Sequence, residues 1–115
     1  MREILFRGKH GNHWVYGSLI TGKYPSITSL ENGEKTQYSV EEDTIGQFTG
    51  MVDATNKKIF ENDICKQYQG AVGFIRFDYG WAIDYGNRSH DMPQRYCDYI
   101  KVVGNLDDNP ELVPS

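Results

Sequence analysis

The chain has 115 residues, 38% hydrophobic and 24% charged, with 12 glycines and 4 prolines. That length supports one hydrophobic core, and the mixed composition excludes a disordered tail or a low-complexity segment. No apolar run approaches the ~20 residues of a membrane-spanning helix. Twelve basic against sixteen acidic residues leave a net charge of −4, which argues against a surface built as a whole for polyanions.

Helix-period patterns are nearly absent, and short alternating apolar and aromatic runs recur between Gly and Asn turns, which predicts a mainly antiparallel β protein. Met1 to Gly8 lacks the apolar stretch of a signal peptide, so a cytoplasmic location is expected, with Cys65 and Cys97 reduced and packed as small hydrophobes. His13 to Ile20 reads as a strand in which Gly17 marks a bulge or a close approach. Ser26 to Leu30 and Lys35 to Val40 flank Asn32-Gly33, the strongest hairpin signal in the chain. An acidic stretch from Glu41 to Asp43 precedes Thr44 to Gly50. Further strands are expected at Lys58 to Phe60, Ile64 to Tyr68, Ala71 to Asp78, Trp81 to Tyr85 and Tyr99 to Val103. Asn87 to Gln94 reads as loop, with Pro93 placed in the first turn of a short helix, and Asn109-Pro110 opens one final turn. An N-terminal β-hairpin region over 1–43 and a small SH3-like barrel over 44–115 follow as the expected organisation, in one compact body without a linker. Five short strands between Ile59 and Val103 would also suit an open meander or an oligonucleotide-binding barrel.

With these elements placed, the chain resembles the YopX family of phage and prophage proteins. The resemblance runs through Arg2-Glu3-Ile4-Leu5-Phe6-Arg7-Gly8, Trp14-Val15-Tyr16-Gly17, the stretches Thr44 to Asp53 and Lys58 to Ile64, and Ile100 to Leu112. The family pattern has glycine in the turn after the aspartate at 53 and before the aspartate at 63, where this chain has Asn56 and Asn62. Asparagine is the ordinary residue most tolerant of the left-handed region, so both turns are expected to survive. The resemblance implies an SH3-like barrel in the second half, a phage or prophage origin and self-assembly. It implies no activity and no site residues.

Candidate chemistry is sparse. His10 and His13 share a glycine-containing turn, but the only other histidine is His90, so no metal site is expected. Cys97, His90 and Asp91 are the residue types of a cysteine-dependent hydrolase, yet Tyr96 and Asp98 beside Cys97 give no electropositive setting, and nothing in the sequence sets His90 against the thiol. Asp63 is expected to bind neighbouring backbone N–H groups rather than to act as an acid or base. No phosphate-binding glycine spacing occurs, and no cofactor is called for.

Eight tyrosines, five phenylalanines and two tryptophans remain, clustered most densely in the expected hairpin from Phe74 to Tyr85. Tyr79, Trp81 and Tyr85 with Arg76 and Arg88 form the candidate interface patch. Interfaces favour exposed Tyr, Trp and Arg, so the leading expectation is a non-enzymatic module that forms homo-oligomers or binds a host or phage protein. The alternative is an accessory protein stacking single-stranded nucleic acid on the same aromatic and arginine hairpin, which the net negative charge disfavours. No membrane partner is expected.

Overall fold

A computed structural model describes residues 4–31, 33–68 and 70–113. The chain divides into two units, Met1–Phe48 and Thr49–Ser115. Among the described residues no helix is long and apolar enough to cross a membrane.

The first unit holds β1 (Phe6–His10), β2 (His13–Ile20), β3 (Ser26–Glu31), β4 (Glu34–Ser39) and the start of β5 (Gly46–Val52) in the antiparallel order β4-β3-β2-β1-β5. The register Glu31↔Glu34 leaves a two-residue loop, and Gly33 at φ 81° is the left-handed residue that such a loop requires. Asn32 of the expected Asn-Gly turn lies outside the described residues, as do Arg2, Glu3 and Gln69. Gly17 is a close approach rather than a bulge, because a Cβ there would collide with the Thr28 carbonyl. Val15, Ile27 and Val40 form the small core, with Phe6, Leu19, Tyr38 and Ile45 packed against it. A 3-10 turn, Glu42–Thr44, occupies the acidic stretch; the Thr44 hydroxyl donates to the Glu41 carbonyl and accepts from the Lys9 N–H. Strand β1 has no counterpart among the sequence expectations. Its Arg-Gly-Lys centre carries no apolar alternation.

The second unit contains the end of β5 with β6 (Lys58–Phe60) beside it, and a five-stranded antiparallel sheet. The sheet is built from β7 (Asp63–Gln67), β8 (Val72–Phe77), β9 (Trp81–Asp84), β10 (Ser89–Asp91) and β11 (Ile100–Asn105), in the order β10-β9-β8-β7-β11. The expected closed SH3-like barrel does not form. The edge strand β10 has only three residues, all exposed, and pairs with β9 alone. The far edge of β11 is met by a turn instead of a strand: Ala54 N–H donates to the Ile100 carbonyl at 2.9 Å, and Val102 N–H donates to Asp53 Oδ2 at 2.8 Å. Ile59, Cys65, Ile75, Ile83, Met92, Ile100 and Val102 are among the residues of the unit's core, which also takes in Tyr85 and Cys97.

Two aspartates hold the turns. Asp53 Oδ1 accepts from Thr55 N–H, the Thr55 hydroxyl and Lys57 N–H, while Asp63 Oδ2 accepts from Phe60 N–H at 2.7 Å. Asn56 (φ 70°) and Asn62 (φ 71°) occupy the left-handed region, as expected from the family's glycines at these turns. Polar Ser89–Asp91, read as loop from its composition, is strand β10. Pro93 caps α1 (Gln94–Cys97) from outside its first turn, with φ −68° and ψ 159°. Pro110 does open the last 3-10 turn, Pro110–Leu112, but the Asn109 side chain reaches back to Asn105 N–H instead of capping it.

Candidate functional site

The five residues of the expected patch are dispersed. Tyr79 sits at the tip of the β8–β9 hairpin, fully exposed, at φ 63°. Phe77 and Trp81 are cross-strand partners at the base of that tip, their rings edge-to-face with centroids 5.1 Å apart. Trp81 is half-buried against the core and Phe77 is exposed. Tyr85 is a core residue instead: its hydroxyl is hydrogen-bonded to that of Tyr96, and burial raises its phenol above the ordinary range. Arg88 lies over the Tyr85 ring, 5.1 Å from its centroid, and so is drawn toward the core residue and away from the tip. Arg76 is neutralised by two carboxylates, Asp78 at 3.4 Å and Asp84 at 3.2 Å, the latter an ion pair too poorly aligned for a hydrogen bond. Only Tyr79 and Trp81 of the five remain together, joined by Phe77.

The thiols are the reverse of activated. Cys97 is fully buried, and burial with the nearby Asp98 charge pushes it up to about 11; its Sγ lies 3.7 Å from Met51 Sδ. Cys65 is shifted further, by burial and then by the charges of Asp63 and Asp53. Both are free and belong to one core. His90 stacks on Tyr96 at 4.1 Å with its Nδ1 against the Asp91 carbonyl, and makes no hydrogen bond to Cys97. His10 and His13 are cross-strand partners, with His10 Nδ1 occupied by the Ser39 carbonyl at 2.8 Å. Among the described residues no three His, Cys, Asp or Glu side chains converge as metal ligands.

A surface that the sequence reading passed over lies on β7 and β11. The stretch Lys66-Gln67-Tyr68 at the end of β7 and the stretch Tyr99-Ile100-Lys101 at the start of β11 carry lysine and tyrosine two positions apart in opposite order. In the antiparallel register Lys101 faces Lys66, Ile100 faces Gln67, and Tyr68 N–H donates to the Tyr99 carbonyl. Alternation therefore places two tyrosines side by side and two lysines side by side on the outer face. Tyr68 is 93% and Tyr99 70% exposed. These four residues, with Val103, Ala54 and Thr55, line a groove of about 480 Å³. Gln67 and Ile100 point inward. Gln67 Nε2 donates to the Tyr96 hydroxyl at 2.7 Å, which ties the end of β7 to α1. The opposed Lys-x-Tyr and Tyr-x-Lys spacings were the available signal, but they become one surface only once the pairing of β7 with β11 is known.

A family model described as "YopX protein" matches residues 5–114. No curated protein matches the chain. Among solved structures, the crystal structure of protein EF1440 from Enterococcus faecalis is similar with a TM-score of 0.65 at 18% identity, covering 99% of this chain and 100% of that one. At that identity the likeness is one of fold.

Proposed function

The chain belongs to the YopX family, and on that footing we propose that it is a non-enzymatic binding module that assembles with copies of itself through the tip of the β8–β9 hairpin. The reading takes the protein as phage- or prophage-encoded, as the family resemblance suggests, and as cytoplasmic, as expected from its N-terminal residues and cysteines. One observation carries it: Tyr79 holds a fully exposed aromatic ring on a backbone at φ 63°. For a bulky side chain the left-handed region costs about 1–2 kcal/mol, and glycine would remove that cost. Stability alone favours glycine at this position. A tyrosine there is explained by a contact its ring makes outside the chain, and Phe77 and Trp81 extend the apolar surface beside it.

The test is the absolute mass in solution, by light scattering coupled to size exclusion at two salt concentrations. A defined multiple of 13.2 kDa at both supports assembly, and a monomer at both overturns it. The variant Tyr79→Gly separates contact from folding, since it relieves the backbone and removes the ring. It is expected to melt no lower than the wild type and to shift the mass toward the monomer. A glycine variant that assembles like the wild type removes the hairpin tip from the interface.

A further inference from the structure

We propose that the outer face of β7 and β11, with Tyr68, Tyr99, Lys66 and Lys101, is a binding site for single-stranded nucleic acid. The site lies where β7 hands over to β8, at the opposite end of β8 from the hairpin tip, so it is independent of the assembly contact. Like charges directly opposite on neighbouring strands destabilise a sheet. Lys66 and Lys101 are so placed, and among the described residues neither has an ion-pair partner. An anion lying between them would relieve that repulsion. The row beside them, one strand repeat or roughly 6.7 Å away, is the exposed Tyr68–Tyr99 pair. Cations tracking a backbone next to aromatic faces that stack bases are the two components of single-strand recognition.

An acidic peptide would satisfy the lysines but bring no flat rings to the tyrosines, so the combination favours a nucleotide strand. Asp98 lines the groove on the α1 side, its Oδ1 accepting from Gln94 Nε2 at 3.1 Å. Its charge repels phosphate there and leaves the lysine side for the backbone. Gln67, which lines the floor of the site, is held in place by its hydrogen bond to Tyr96. The overall charge of −4 is compatible with this, because the site needs only a local pair of cations.

The probe is a fluorescein-labelled oligothymidylate of about twelve nucleotides, within the range such surfaces cover, followed by anisotropy with the full chain. Two neutralised phosphates predict a log–log salt slope of about −1.4, or roughly a sevenfold loss of affinity between about 50 and about 200 mM salt. Tyr99→Ala is expected to weaken binding at least about fivefold, the lower end for one lost stacking contact. The double variant K66Q/K101Q is expected to abolish the salt slope while melting no lower than the wild type, since it deletes a repulsive pair of exposed side chains. Absence of binding at low salt overturns the proposal. So does binding that both variants retain, and so does a labelled polyglutamate that binds as tightly, which would assign the face to an acidic protein partner.

Discussion

Asp53 accepts four hydrogen bonds in the second unit, and its removal has a calculable consequence. It is 3% exposed, and its two oxygens accept from three backbone N–H groups, those of Thr55, Lys57 and Val102, and from the Thr55 hydroxyl, all at 2.8–2.9 Å. In Asp53→Ala the Val102 N–H is left in a buried strand edge without an acceptor, at a cost of about 1.5–3 kcal/mol for a bond to a charged group. The Thr55 and Lys57 N–H groups lie in exposed turn residues where water can replace the carboxylate, so they add about 0.5–1 kcal/mol together. The expected total is about 2–4 kcal/mol, a large part of the roughly 5–15 kcal/mol that holds a domain together. Urea unfolding followed by circular dichroism measures it as a lower midpoint at unchanged slope. Asp53→Asn keeps one acceptor oxygen but turns an N–H group toward Val102 N–H or toward Thr55, so it recovers only part of the loss. Burial on its own would raise the Asp53 carboxyl, but the hydrogen bonds from Val102, Lys57 and Thr55 outweigh it and hold the group below its ordinary 3.8. Its contribution is therefore complete above pH 3.8 and is lost as pH falls through the lower folded value. The stability gap between wild type and Asp53→Asn should narrow in that acid range. A loss below about 1 kcal/mol in Asp53→Ala, or a gap that does not change with acid, would refute the role given to this side chain.

Two further predictions concern the same unit. Asn62 at φ 71° should accept glycine within about 0.5 kcal/mol, because relief of the backbone offsets the added freedom of the unfolded chain. Asn62→Ala should lose about 1 kcal/mol, and thermal melts of the two variants give the comparison. Cys65 and Cys97 should resist a thiol reagent at pH 8 in the folded protein, because both are fully buried and Cys97 is raised to about 11 with Cys65 shifted further. Both should react once urea unfolds the chain; fast labelling of the native protein would show that the core containing them opens.

What the sequence made legible was local. Asn56, Asn62 and Asp63 each act within a few residues or through the shape of their own backbone, and each is legible from residue type and neighbours, whereas Gly17 is legible only as a bulge or a close approach until the Thr28 carbonyl of β3 decides between them. Strands with apolar or aromatic alternation were found to within two residues. Strand β1, with Arg-Gly-Lys at its centre, and β10, Ser89–Asp91, carry no such alternation, and pairing alone makes them strands. Barrel closure failed for a related reason. Whether β11 meets another strand depends on what fills its edge, and the filler is a turn carrying Asp53 and Ala54, nearly fifty positions away in the chain. No window of sequence contains both halves of that contact.

The aromatic residues separate by the same logic, and this decides where function has to be sought. Counting them in one hairpin grouped Tyr79, Trp81 and Tyr85, although the strand pleat and the chain's return through α1 send Tyr85 inward to Tyr96 and leave Tyr79 in solvent. The arginines that accompanied them are committed within the chain, Arg76 to Asp78 and Asp84 and Arg88 to the Tyr85 ring. Lys66 and Lys101 have no such commitment among the described residues, and their register places them against each other. A partner that engages Arg76 or Arg88 must first displace these internal contacts, worth up to about 1 kcal/mol each at exposed positions. Uncommitted cations that repel each other favour one. Two outward surfaces of the second unit thus stand out among the described residues, an apolar tip proposed to join copies and a tyrosine–lysine face proposed to take an anionic strand. They lie at opposite ends of β8. Loss of assembly in Tyr79→Gly with nucleotide binding intact, and loss of binding in K66Q/K101Q with assembly intact, would follow from that separation. A Tyr79→Gly variant that lost both would mean that the strand binds only to the assembled form, and a K66Q/K101Q variant that lost both would place the lysine face in the assembly contact; either result refutes the independence of the two sites.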